Sequence, residues 1–156
     1  MTPRDASDYA EIAQVMARYF RAMDTWDYDI LAMVFTPDAK LRYEALEGAD
    51  TDYDGMLKQF SGFNCYFSFM QHMSSQLVIE LDGDQAVARS TLRAIHVQTL
   101  RQGGENEWVI YGTYRDELVR TEEGWRIAQR HFRTTRTTGR LVTFDECERY
   151  ESPPWL

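Results

Sequence analysis

Cysteine is scarce in this 156-residue chain: Cys65 and Cys147 stand far apart and outside any CxxC spacing. Two such residues cannot staple a small secreted scaffold, and the count fits a reducing compartment; neither is assigned any chemistry. Proline (4) and glycine (9) are also few. With no Pro/Gly-rich linker, internal repeat or low-complexity tract, the reading is one domain over 1–156. No apolar run approaches the ~20 residues that cross a bilayer, and the opening "MTPRDASDYAEIAQ" has neither an apolar signal core nor Arg-rich transit character. The expected location is cytoplasmic, with no membrane partner. Positive charge is in deficit too: 17 Lys+Arg stand against 25 Asp+Glu, a net charge of -8. That balance repels a phosphate backbone and no local basic cluster offsets it, so nucleic acid is not an expected partner.

Aromatic residues, by contrast, are plentiful at 13%, within a hydrophobic fraction of 44%. This suffices for a globular core. The rings could equally line an apolar pocket, and composition does not choose between the two.

"SDYAEIAQVMARYFRAMD" places Ile12, Val15, Met16, Tyr19, Phe20 and Met23 at helical spacing, which predicts an amphipathic helix over 8–23 with Ser7 as N-cap. A second, shorter helix fits "DYDILAMVF". The turn "TPDA" should stop it, leaving "AKLRYEA" as a strand, and "YDGMLKQFSGF" reads as a third helix ending at Gly62. From Met70 onward the period changes to two. "QHMSSQLVIELDGD" and "QAVARSTLRAIHVQTLRQ" form a hairpin around Asp-Gly-Asp. "EWVIYGTYRDELVRTEEGW" and "WRIAQRHFRTTRTTG" repeat the pattern around "TEEG", with Gly103-Gly104 as a further hairpin turn. Helices followed by long antiparallel strands predict an α+β domain in which helices cover one face of a curved sheet. The tail "DECERYESPPWL" has no periodicity; it is read as either disordered or a loop packing Trp155 on the domain or a neighbouring subunit.

The chemistry-bearing residues are few. There is no HxH, HExxH or HxxxH spacing for a metal and no GxSxG elbow for a nucleophilic serine. What remains is acid–base work by a His steered by a carboxylate. His96 shares parity with Ala88, Ser90, Leu92 and Ala94 and should point inward; His72 follows the aromatic run "CYFSFM" and should border whatever those rings line; His131 reads as a surface or edge position. Any one of them could simply be a hydrogen-bonded core residue. Asp24 lies where the apolar face of the first helix arrives. It could orient an imidazole and stabilise its imidazolium, or cap a helix starting near Trp26 or Asp27. Both readings stay open on the residues alone.

The order of helix, "FRAMDTWDYDILAMVFTPDAKLRY", helix, His-bearing strand, "DGDQAVA" and "GTYRDELVRTEEGWRIAQR" resembles the SnoaL-like branch of the nuclear transport factor 2-like superfamily across nearly the whole chain. The resemblance implies an α+β cone-shaped barrel: a curved, mostly antiparallel sheet wrapped around a long N-terminal helix, with shorter helices and a deep pocket. It also implies homodimers or homotrimers. Within that branch the chain is most similar to scytalone dehydratase, hexachlorocyclohexane dehydrochlorinase and bile acid 7α-dehydratase. The match implies an Asp-His dyad on Asp24 and His72, tyrosine donors at Tyr19 and Tyr43, a second active-site His at His96, and an active-site Arg at Arg130. This chain has Met23 where scytalone dehydratase has a Tyr and Tyr19 where the dehydrochlorinase has a Lys, so neither activity transfers whole. Strand parity sets Arg130 apart from Trp125 and Ile127, so its inward orientation requires a bulge or a different reading of which face is apolar.

The resulting expectation is a cofactor-independent lyase of dehydratase type, acting on a small, mostly apolar carbonyl compound such as a steroid or polyketide-like molecule, with no metal. The same dyad without a leaving group would give an isomerase or cyclase, and a non-catalytic hydrophobic-ligand carrier is the alternative from another class.

Overall fold

Helix α1 runs Pro3–Thr25 in the computed structural model, which describes residues 2–44 and 50–156. It starts earlier than its apolar stripe suggests. Thr2, not Ser7, is the N-cap: the Asp5 amide donates to Thr2 Oγ1 at 3.1 Å and the Thr2 amide donates to Asp5 Oδ2 at 2.7 Å. This reciprocal box satisfies two otherwise orphaned amides and so outcompetes the single Ser7 cap. Ile12, Val15, Met16, Tyr19, Phe20 and Met23 are all buried, as their spacing predicts. The helix ends where Trp26 turns left-handed at φ 55°.

The second helix is a short 3-10 helix, Tyr28–Met33. "TPDA" is no turn after it. Strand β1, Phe35–Tyr43, runs straight through and absorbs the segment as a bulge between Phe35 and Lys40. Pro37 therefore sits where no ladder bond is required of it. The expected strand end at Ala45 lies outside the described residues. Strand β2 is Asp50–Asp52, and α2, Tyr53–Asn64, passes through Gly62 for one further half-turn.

The four long strands follow: β3 Phe69–Asp82, β4 Gln85–Thr99, β5 Glu105–Thr121 and β6 Gly124–Gly139. Together with β1 and β2 they make a curved six-stranded sheet of order β2-β1-β6-β5-β4-β3. All neighbours are antiparallel except β1 and β6, which run parallel. The sheet is open, with β2 and β3 as its edges.

Inward parity on β4 is as simple as its sequence: Ala86, Ala88, Ser90, Leu92, Ala94, His96 and Gln98 are all buried. On β6 it is not. Glu117 pairs with Gln129 and Leu118 with Ile127, so Ala128 is an unpaired extra residue. That bulge reverses the parity, and Trp125, Ile127, Arg130 and Phe132 all become buried. At the narrow end, Asp8 of α1 accepts from Trp125 Nε1 at 3.2 Å and from Arg120, while Glu11 accepts from the Trp125 amide at 2.9 Å. These bonds fix the start of α1 to the β5–β6 turn.

Candidate active site

Asp24 occupies the last turn of α1, against the negative end of the helix dipole and with no basic residue in that turn. Its carboxylate is committed elsewhere than to a cap. Oδ1 and Oδ2 accept from the His72 amide at 3.0 and 3.2 Å, and Oδ1 lies 2.7 Å from His72 Nδ1. Asp27, which precedes the 3-10 helix, makes no side-chain cap bond either. A carboxylate only accepts, so Nδ1 is the donor of this contact, and in the neutral tautomer Nε2 carries the lone pair. The side chains keep 25% and 10% exposure, for Asp24 and His72 respectively.

His72 borders a small, half-open cavity of about 50 Å³. Its polar lining comprises Tyr19, Tyr43, Asn64, His72, His96 and Tyr114; the remainder is apolar, part aromatic and part aliphatic or Met. The Tyr19 and Tyr43 hydroxyls lie 3.2 Å apart, and Tyr43 also donates to Met56 Sδ at 3.5 Å. Burial raises both phenols well above their ordinary value, so they act as O–H donors and not as phenolates.

His96 is sandwiched between Phe67 and Trp108, with ring centroids 5.0 and 5.1 Å away, and its ring stands nearly perpendicular to that of His72 at 5.6 Å. Its Nδ1–H donates to the Trp108 carbonyl at 3.3 Å. Burial, with His72 as a second influence, pushes its pKa down to about 3. At neutral pH the ring is therefore uncharged, its proton already engaged and its Nε2 able only to accept.

Of the six residues singled out in the sequence, Tyr19, Tyr43, His72 and His96 line the cavity, and Asp24 stands behind His72, bonded to its ring and amide. Arg130 stands one layer behind. It is 2% exposed and pairs with Asp116, its neighbour across β5, through Nε to Oδ1 at 2.7 Å and Nη2 to Oδ2 at 2.9 Å. Its guanidinium lies 3.9 Å from the Tyr19 ring centroid and 4.4 Å from that of Tyr114. His131 is on the outer side, 2.9 Å from Glu44. Sequence reasoning missed Asn64, Tyr114 and Asp116. The last two were readable: they share inward parity with Leu118 on β5, and an acid at an inward position is the same signal that drew attention to Asp24. Among the described residues no group of three or more His, Cys, Asp or Glu is arranged to hold a metal, and both cysteines are free and buried.

A long helix laid in an open curved sheet, with a carboxylate–imidazole pair beside an aromatic-lined cavity, defines an α+β domain with one candidate acid–base site among the described residues. The chain belongs to the SnoaL-like domain family, whose match spans residues 4–131. It is 34% identical over 128 residues to uncharacterized protein Rv2910c of Mycobacterium tuberculosis, covering 81% of this chain and 84% of that one. A solved structure from Novosphingobium aromaticivorans, provisionally named a scytalone dehydratase, superimposes with TM-score 0.77 at 28% identity over 92% of this chain and 94% of that one. The hexachlorocyclohexane dehydrochlorinase LinA-type3 from Novosphingobium barchaimii matches in fold, with TM-score 0.73 at 19% identity over 87% and 91%. No helix among the described residues is long and apolar enough to cross a membrane.

Proposed function

We propose that the protein is a cofactor-independent lyase of dehydratase type, acting on a small, mostly apolar β-hydroxy carbonyl compound of steroid or polyketide-like character. The observation that carries this reading is the 2.7 Å contact between Asp24 and His72 at the wall of an aromatic cavity that also holds two protonated phenols. His72 Nε2 removes a proton from the carbon next to the substrate carbonyl, and the C–H electrons move into an enolate. Tyr43, whose proton otherwise rests on the weak acceptor Met56 Sδ, or Tyr19, whose hydroxyl faces it, rotates its proton onto the enolate oxygen. Asp24 fixes the tautomer and balances the imidazolium charge. The enolate then expels the β-hydroxyl, which takes the proton back from His72 and leaves as water, so the enzyme returns to its starting state. His72 serves both steps because His96, neutral with its N–H engaged, has no proton to give. Arg130, behind the tyrosines, holds their rings and adds positive potential on the side where the oxyanion forms. Abstraction without a leaving group would make the same site an isomerase or cyclase.

The test is a panel of β-hydroxyketones, hydroxylated steroids and polyketide-like ketones assayed for loss of water with wild type and His72→Ala. Turnover that falls by 10³-fold or more in the variant is expected. Undiminished turnover would remove His72 from the mechanism, and binding without turnover in the wild type would make the protein a carrier.

The same proposal includes a homodimer or homotrimer. Met73, Leu77 and Val78 on edge strand β3 are 40%, 37% and 55% exposed, an apolar edge of the kind that association covers. A single-chain mass by light scattering at micromolar concentration would overturn it.

A further inference from the structure

Asn64 is a polar group of the cavity to which the proposed proton transfer gives no part. It is the last residue of α2 and is 3% exposed. Its Nδ2 donates to the Tyr28 hydroxyl at 3.0 Å, and that hydroxyl in turn donates to the Phe60 carbonyl at 3.4 Å. Tyr28 has one proton to give. With that proton on Phe60, the hydroxyl can only accept from the amide, which fixes the amide's orientation. Burial pushes the Tyr28 phenol up to about 12, so the proton stays in place. The other end of the amide, Oδ1, accepts from no donor among the described residues, yet it is not among the atoms sealed away without a partner. It is therefore the end left to the cavity. A donor on a ligand in the cavity would give this acceptor a direct partner.

We infer that Asn64 is a specificity-determining residue, its Oδ1 held toward the cavity by Tyr28 to accept a hydrogen bond from a hydroxyl group on the substrate that is distinct from the reacting carbonyl. Position supports the distinction. Phe60, one helical turn before Asn64, packs its ring on Tyr43 at 5.3 Å, so Asn64 sits about 6 Å further along the α2 axis than the residue that touches the phenol pair. A substrate whose carbonyl rests against Tyr19 and Tyr43 reaches Asn64 with a substituent on its far end. A hydroxyl there is read as a donor; an ether or a carbonyl presents only lone pairs to Oδ1 and is rejected. This deepens the proposed function by giving its substrate a second polar group, and it rests on that reading for the placement of the carbonyl.

The experiment uses two bicyclic ketones without a leaving group, 5-hydroxy-1-indanone and 5-methoxy-1-indanone, titrated into the full-length protein by calorimetry, so that binding is read without turnover. Wild type is expected to bind the hydroxy compound about tenfold tighter than the ether. Asn64→Leu should bring the two within about threefold. In Tyr28→Phe, where the amide is free to turn its NH2 into the cavity, the preference should shrink likewise and the ether should gain affinity, an effect that loosened packing alone would not give. Thermal denaturation accompanies each variant, and if Asn64→Leu does not fold, Tyr28→Phe decides. A wild type that does not distinguish the two ketones, or a preference that survives both substitutions, overturns the inference. Loss of turnover in His72→Ala with the hydroxyl preference intact would leave the dyad and this residue separately established.

Discussion

Asp24 carries a negative charge in the last turn of a long helix, where the backbone carbonyls already concentrate negative potential. Its retention there is explained by what it holds: the amide of an edge strand and the imidazole beside it. Asn at this position keeps an acceptor for the amide and removes the charge. Asp24→Asn should therefore fold with nearly unchanged thermal stability while kcat falls by about 10²–10⁴-fold, read from steady-state kinetics on whichever panel substrate turns over. His96 makes a different prediction. Its folded-state pKa of about 3 lies below the unfolded value near 6.5, so between those limits the unfolded chain binds more protons. Its contribution to stability is complete above about pH 6.5 and declines as pH falls through that window, by up to about 1.4 kcal/mol for each pH unit. Urea denaturation at pH 7.5, 5.5 and 4.5 should show a shallower acid slope in His96→Gln than in wild type. Equal slopes would mean that the ring is protonated in the folded state.

At the scale of elements, the β5–β6 pair shows where pattern reading stops. On β4 every second residue is inward from Ala86 to Gln98, and simple alternation finds His96 without help. On β6 the same arithmetic misplaces Arg130, because Ala128 is an ordinary small residue that announces no bulge. "TPDA" fails for the converse reason: turn-favouring residues were absorbed by a bulge in β1 once β6 supplied a parallel partner. The contact between Asp24 and His72 joins residues 48 apart in sequence, and no local period encodes it; only the family resemblance made it legible. Asn64 was invisible because a polar residue at a helix end is ordinarily solvated. The bulge has an energetic consequence that can be measured. It brings Arg130 opposite Asp116 with both side chains fully buried. Arg130→Met leaves Asp116 as an unpaired buried charge and should destabilise by about 3–5 kcal/mol, whereas Arg130→Met with Asp116→Leu should recover most of that loss. Denaturant unfolding of the two singles and the double closes the cycle. Additive losses would show that the pair is not coupled.

Across the whole molecule, the tail joins what the chain separates. Gln98 acts as a backbone surrogate for it, donating from Nε2 to the Val142 carbonyl at 3.0 Å and accepting the Val142 amide at 2.9 Å. Phe144 then stacks on Tyr66 at 4.5 Å, and the Tyr150 amide donates to the Cys65 carbonyl at 2.8 Å. The segment ends with Trp155 half-buried, its ring edge-on to Trp26 at 5.6 Å and to Phe69 at 5.8 Å. Trp26 follows Asp24 by two residues and Phe69 precedes His72 by three, so one aromatic side chain braces the end of α1 and the start of β3 against each other. Trp155→Ala removes two edge-to-face contacts, each contributing about 0.5–1.5 kcal/mol, and should lower stability by about 1–3 kcal/mol. If the brace also holds the acid–base pair in register, kcat should fall several-fold with KM nearly unchanged, and Trp155→Phe should restore it, because the smaller ring still reaches one of its two partners. A drop in melting temperature with kcat untouched would confine the tail to stability and leave the 2.7 Å contact between Asp24 and His72 to the helix end and strand alone.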